Sequence, residues 1–196
     1  MQFSNLILQK IATANTDERE DESTTLELDS HADSPVVGAH ARIISKTGDK
    51  VSVRGFCDEI GKPILVEVVD AVLIYDCQYT GESILLVLRN ALHIPSMKVS
   101  LIPPFMMRLA GLDVNECPKV LASQTTGYHH SIYSKQDDIL IPLKLDGIIS
   151  YIQCRMPQND ELANNEKCIE LTPKMKQWNP HDVTYHEQEE AMMDGL

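Results

Sequence analysis

The chain of 196 residues is missing several things, and each absence removes a class of protein. No two of its five cysteines form a C-x-x-C pair: Cys57, Cys77, Cys117, Cys154 and Cys168 are widely spaced. An odd count without framework spacing points to free thiols in a reducing compartment, not to a disulfide scaffold. No uninterrupted apolar run approaches membrane-spanning length. The stretch Met1-Gln2-Phe3-Ser4-Asn5-Leu6-Ile7-Leu8 has no basic flank and too short an apolar run for a secretory leader. Positive charge is scarce, with 17 Lys and Arg against 29 Asp and Glu and a formal net charge of -12. An acidic surface repels phosphates, which argues against nucleic acid and anionic membrane as partners. The expectation is a soluble, cytoplasmic protein.

What is present suits one compact domain with added segments: 43% of the residues are hydrophobic and 23% charged. Residues 1–23 read as a flexible amino-terminal segment, with a short helix over 1–12 and a linker carrying the self-repelling run Asp17-Glu18-Arg19-Glu20-Asp21-Glu22. From residue 24 the texture becomes mainly β. Strands are expected over Thr25–Asp29, Ala41–Ile44 and Lys50–Phe56, with a turn at Thr47-Gly48-Asp49 between the last two. Further strands are expected at Ile64–Tyr75, Ser83–Leu88 and Val99–Ile102. Pro103-Pro104 then opens a short helix that Gly111 closes. Ile139–Leu145 and Ile148–Ile152 form a hairpin turning at Asp146-Gly147. The resulting division is a domain over 24–122, a β-hairpin extension over 123–157 and a polar, partly disordered tail over 158–196, with a short helix near 158–167.

The most informative stretch is Leu26-Glu27-Leu28 running into Asp29-Ser30-His31-Ala32-Asp33. An apolar strand that ends in an Asp-Ser turn gives a carboxylate a rigid seat ringed by backbone N–H groups. Peptide hydrolysis without a metal or a covalent intermediate needs two such carboxylates close together. Like charges at that range cannot both ionise, so one acts as general base on a water while the other donates its proton to the scissile carbonyl. The chain has only one convincing seat. Asp146-Gly147 follows an apolar strand but lacks the Ser or Thr and continues as a hairpin turn. A symmetric homodimer would bring two copies of Asp29 onto its axis, with Ser30 bracing the two turns. No metal and no cofactor is required.

Taken alone, Asp29-Ser30 is equally an Asx turn at a strand end, and Asp33 equally a surface carboxylate. His129-His130 and the pair His181 and His186 are best read as solvated loop histidines: the second pair is five residues apart, which does not put both on one helical face. Ser30 and His31 are sequence neighbours on an extended chain and point to opposite faces, so they are no nucleophile–base pair. Cys57 reads as a free, half-buried thiol.

Three motifs together resemble the retropepsin family of aspartic proteases, and more closely the protease segment of copia-type retrotransposon Gag-Pol polyproteins. Leu28-Asp29-Ser30-His31-Ala32-Asp33 is similar to the family's hydrophobic-Asp-Ser/Thr-Gly-Ala signature. Leu88-Arg89-Asn90-Ala91-Leu92-His93-Ile94-Pro95 resembles its second conserved strand, and Val99-Ser100-Leu101-Ile102 with Phe105-Met106-Met107-Arg108-Leu109-Ala110-Gly111 its strand-and-helix element. The resemblance covers about residues 24–115. His31 stands where the family has Gly, a residue suited to a turn with little room beside the carboxylates. The resemblance implies a closed acid-protease β fold with one short helix after the second conserved strand and, here, extra carboxy-terminal strands. It implies a mobile flap over Lys50–Val69 with Gly55 at the substrate, and Asp33 holding substrate main chain. It also implies a polyprotein peptide as substrate, a second copy of the chain as partner, and a setting inside the cell or within virus-like particles. The alternatives are a catalytically degenerate protease-like domain that serves as a dimerisation or scaffold module and, last, a single-chain shuttle-type relative.

Overall fold

The computed structural model describes residues 23–54, 62–164 and 167–193. Expectations for residues 1–22, and for Gly55 and Cys57 near the hairpin tip, fall outside the described residues.

Alternation builds the first strand. In β1 (Ser23–Leu28) Thr24, Leu26 and Leu28 point inward while the residues between them are more exposed. Short β2 (Val36–Val37) follows the Asp29 turn. The next two strands, β3 (Arg42–Val53) and β4 (Ile64–Asp76), form a long antiparallel hairpin. After β5 (Ser83–His93) and β6 (Ser100–Ile102) comes helix α1 (Pro104–Leu109), which has proline at its start and Gly111 at φ 87 beyond its end. A second, three-stranded sheet contains β7 (Asp113–Asn115), β8 (Ser131–Ser134) and β9 (Ile139–Pro142). The chain then returns to the first sheet through β10 (Lys144–Asp146) and β11 (Ile149–Arg155), passes helix α2 (Asn159–Asn164) and β12 (Cys168–Glu170), and ends in helix α3 (Val183–Met193).

The main sheet closes on itself. Its order runs β11–β1–β6–β2–β5–β4, and β4 meets β11 again where Ile74 pairs with Arg155. Six strands thus form a ring, with β10, β3 and β12 attached outside it. Inside lie Leu26, Leu73, Leu86, Leu88, Ile102 and Ile152, all fully buried. Closure matters physically because it removes open sheet edges that would otherwise pair with other chains. Among the described residues no helix is long and apolar enough to cross a membrane.

Four sequence expectations are corrected. The turn expected at Thr47-Gly48-Asp49 is a bulge within one continuous β3: pairing slips between Lys46 and Lys50, and Gly48 takes φ 92. Thr47 holds the bulge by donating its hydroxyl to the Val68 carbonyl and accepting the Asp49 N–H. The strand expected over Ile139–Leu145 is split at Leu143 between the two sheets, although the turn at Gly147 (φ 59) stands. The boundary expected at residue 122 falls inside one architecture, because β11 and β12 belong to the same sheet as β1. The tail expected to be partly disordered contains β12 and the eleven-residue α3.

The carboxy-terminal strand is tied in by the second motif. Pairing of β4 with β5 slips between Val69 and Ala71, where Asn90 adopts a left-handed φ of 54. Asp70 accepts the Asn90 N–H, and the Asn90 side chain donates to the Met175 carbonyl. Arg89 reaches the other way. Its guanidinium bonds Asp70 at 3.1 Å and forks onto both carboxylate oxygens of Glu170 in β12. All three side chains are largely shielded, with relative exposures of 16%, 19% and 23%. Replacing Arg89 by Met strands two shielded carboxylates and should cost about 2–3 kcal/mol of unfolding free energy. Urea unfolding measures this; the same change at Lys46, whose partner Glu67 is exposed, should leave the midpoint in place.

Candidate active site

Asp29 sits one residue past the end of β1, and the sheet holds it on both sides. Leu26, Glu27 and Leu28 pair in parallel with Ser100, Leu101 and Ile102, while Ser23 to Glu27 pair antiparallel with Arg155 to Tyr151. The ladder runs on into the turn, where the Asp29 N–H donates to the Ile102 carbonyl at 3.1 Å. The chain then reverses, with Ala32 N–H donating to the Asp29 carbonyl. The His31 N–H donates to Asp29 Oδ1 at 2.9 Å. A backbone donor therefore fixes the carboxylate from within its own turn.

This geometry explains why histidine is tolerated where the sequence pattern calls for glycine. His31 does not take a positive φ; among the described residues other than glycine only Asn90, His130 and Asp138 do. The turn needs the N–H of this residue, which any residue but proline supplies. The side chain is exposed.

Asp29 itself is half-buried, and Ser30, His31 and Asp33 are exposed. Among the described residues none takes up the Ser30 hydroxyl, so it is directed outside the protomer. Asp33 is engaged through its carbonyl, which accepts the Trp178 indole N–H at 2.7 Å. Chain passage beyond the turn is tight. A Cβ on Gly38 would lie 2.4 Å from the Met97 carbonyl oxygen and 2.7 Å from that of Val99, and the Gly38 N–H donates to buried Ser100. Only glycine lets β2 slide beneath this loop into place beside β6.

The long hairpin rests on the same strands. Val66 and Val68 at its base pack with Val36 and Leu92, against Val53 and Leu101. Leu101 pairs with Glu27, so this apolar cluster borders the Asp29 strand. Farther out, Val51, Ile64 and Leu65 are exposed. Sequence reasoning placed Asp29, Ser30 and Asp33 on one turn, and the structure does bring them together. It missed Trp178, which has no motif around it, and the groove of about 480 Å³ that Trp178 forms with Ala32, Asp33, Pro103, Phe105 and Tyr185. Another hollow of about 420 Å³, beside Cys168 and Lys174, shares no residue with the turn.

The histidines and cysteines have other places. His130, expected in solvent, is buried, and its Nε2 lies 3.0 Å from Ser150 Oγ; burial first, then Lys119, holds its pKa below the usual value. His129 Nδ1 accepts the Thr126 N–H. Among the described residues no three or more His, Cys, Asp or Glu side chains gather as metal ligands. Cys77, Cys117, Cys154 and Cys168 are free thiols.

No family model, no curated protein and no solved structure matches the chain. The functional reading therefore stands on the residues and their geometry.

The strand flanking Asp29 depends on ring closure, and Arg155 makes that closure. Its guanidinium bonds both oxygens of Asp76 on β4, at 2.7 and 3.0 Å, and reaches Glu161 of α2. Burial works against the Asp76 charge, but the Arg155 and Ser83 hydrogen bonds outweigh it and hold its carboxyl below the usual range. Arg155 likewise lowers Glu161, against a smaller effect of burial. Both groups thus bind protons more weakly in the folded chain than in the unfolded one. Their stabilisation is complete above the ordinary carboxylate pKa of about 4 and is lost as pH falls through the lowered folded values. Urea midpoints measured from pH 6 to pH 2 should fall on the acid side. Arg155→Met should lower the neutral-pH midpoint and flatten that acid limb.

Proposed function

We propose that this chain is an aspartic endopeptidase domain of the retropepsin type, from a retrotransposon polyprotein, acting as a homodimer with Asp29 from each copy. The observation that carries the reading is the seat of Asp29. A carboxylate stands at the end of a strand clamped on both sides, takes a hydrogen bond from the N–H two residues on, and is followed by a serine whose hydroxyl faces out of the protomer. A closed, mainly β ring with one short helix directly after β6 supports the same reading.

One protomer holds half of the chemistry. Two turns meeting on a twofold axis bring two Asp29 carboxyl groups together with a single proton between them. The ionised member removes a proton from a bound water, whose oxygen attacks the scissile carbonyl carbon. The protonated member donates to the carbonyl oxygen as it gains charge. Collapse of the tetrahedral species breaks the C–N bond, and the leaving nitrogen takes up a proton as the pair returns to its singly protonated state. The two carboxyl groups titrate as a unit. Ser30 braces one turn against the other, and Asp33 and Gly55 bind substrate main chain. The β3–β4 hairpin serves as the flap. Its exposed Val51, Ile64 and Leu65 become covered when an extended peptide of the polyprotein lies beneath it.

A concentrated sample of the folded chain should cleave a polyprotein-derived peptide, more strongly on the acid side, and a pepstatin-type inhibitor should block it. Asp29→Asn should lower the rate at least about 10³-fold, the scale on which acid–base groups act, without changing the unfolding midpoint. Cleavage that survives this change refutes the assignment. Self-association with no cleavage in the unaltered chain would favour the scaffold reading instead.

A further inference from the structure

Trp178 and α3 sit against the turn that carries Asp29, although no part of α3 is buried in the core. Three aromatic rings hold them. Tyr185 meets Phe105 edge-on at a centroid distance of 5.3 Å, and Trp178 lies 6.5 Å from Phe105 and 6.1 Å from Tyr185. The Trp178 N–H to Asp33 carbonyl bond fastens this cluster to the turn itself. Phe105 projects from α1 and is still 50% exposed, and Val183, Met192 and Met193 are exposed along α3. Helices of this length are marginal by themselves in water, so the segment is held by a small, rupturable set of contacts.

Its location overlaps what a second copy requires. Four residues of chain span at most about 14 Å, and the Asp29–Asp33 segment is folded into a turn, so the Asp33 carbonyl is closer than that to Asp29. A mating surface of ordinary size covers about 800 Å² per partner, a disc of about 16 Å radius. Any such disc centred near Asp29 includes the point where Trp178 is bound.

We propose that Trp178–Met193 is an intramolecular strap, seated on part of the surface where the second protomer must mate, which keeps the catalytic turn in its half-site state until the strap lifts. The inference rests on the homodimeric protease reading and adds its regulation. While the strap is down, the fraction of chains competent to dimerise is small, and the apparent association constant is reduced by that fraction. Lifting the strap, by displacement or by cutting of the chain before Trp178, exposes Phe105 and frees the Asp33 carbonyl for contacts across the axis.

Two full-length variants test this: Trp178→Ala removes the indole bond and two ring contacts, and Tyr185→Ala removes two ring contacts from an exposed helix without touching the Asp33 bond. Sedimentation equilibrium should show self-association strengthened about tenfold in each variant, the scale of losing one hydrogen bond or a pair of ring contacts. Peptide cleavage per protomer should rise in step at concentrations below saturation. Association unchanged or weakened in the folded variants overturns the strap; if Trp178→Ala fails to fold, Tyr185→Ala decides alone. Association that strengthens while neither the variants nor the unaltered chain cleaves peptide upholds the strap and removes the protease reading.

Discussion

Everything at the candidate site depends on β1 being held between two neighbours. Parallel β6 supplies the carbonyl that anchors the Asp29 N–H, and antiparallel β11 fixes the other edge of the strand. Remove either and the residue after Leu28 becomes the end of a frayed strand, free to swing by several ångströms. A carboxylate that must meet its own copy and a water within hydrogen-bond reach cannot tolerate that freedom. The ring closure at Arg155 and Ile74 is thus part of the chemistry. It holds β11 in place, and β11 holds β1.

The same dependence accounts for the length of chain needed. Residues 24–122 contain the three motifs but lack one wall of the ring. β11 completes that wall, and β12 lies along β5, locked there by the Arg89 fork on Glu170. Arg89 and Asn90 therefore earn their place as fasteners: the bulge they create reaches Asp70 on one side and the carboxy-terminal strand on the other.

Much of this was legible in the sequence where a local rule decides the outcome. The inward Leu26 and Leu28, the proline-opened helix closed by Gly111 and the turn at Gly147 all follow from alternation or from a backbone conformation that favours glycine. What was hidden depends on partners distant in the chain. Thr47-Gly48-Asp49 has turn residues, yet it becomes a bulge because the facing β4 is long enough to keep both limbs paired. The run from Ile139 to Leu145 looks like one strand, but its two halves find different sheets. His130 gives no sign of burial until β8 and β11 bring it to Ser150. Trp178 is a lone aromatic in a polar tail, and its partners Asp33 and Phe105 lie more than seventy residues earlier. Of the site, the turn could be read from its residues, whereas the groove beside it could not.

The central claim is that catalysis needs two protomers, each giving one Asp29. The most direct measurement mixes the unaltered chain with a ninefold excess of the Asp29→Asn chain under conditions where the two exchange freely. If each site needs both carboxylates, random pairing leaves about one tenth of the unaltered protomers with an unaltered partner. Specific cleavage per unaltered protomer should then fall to about one tenth of its value in the absence of the variant. Activity that stays proportional to the unaltered chain alone, whatever the excess, would mean that a single protomer carries the whole site and would contradict the account.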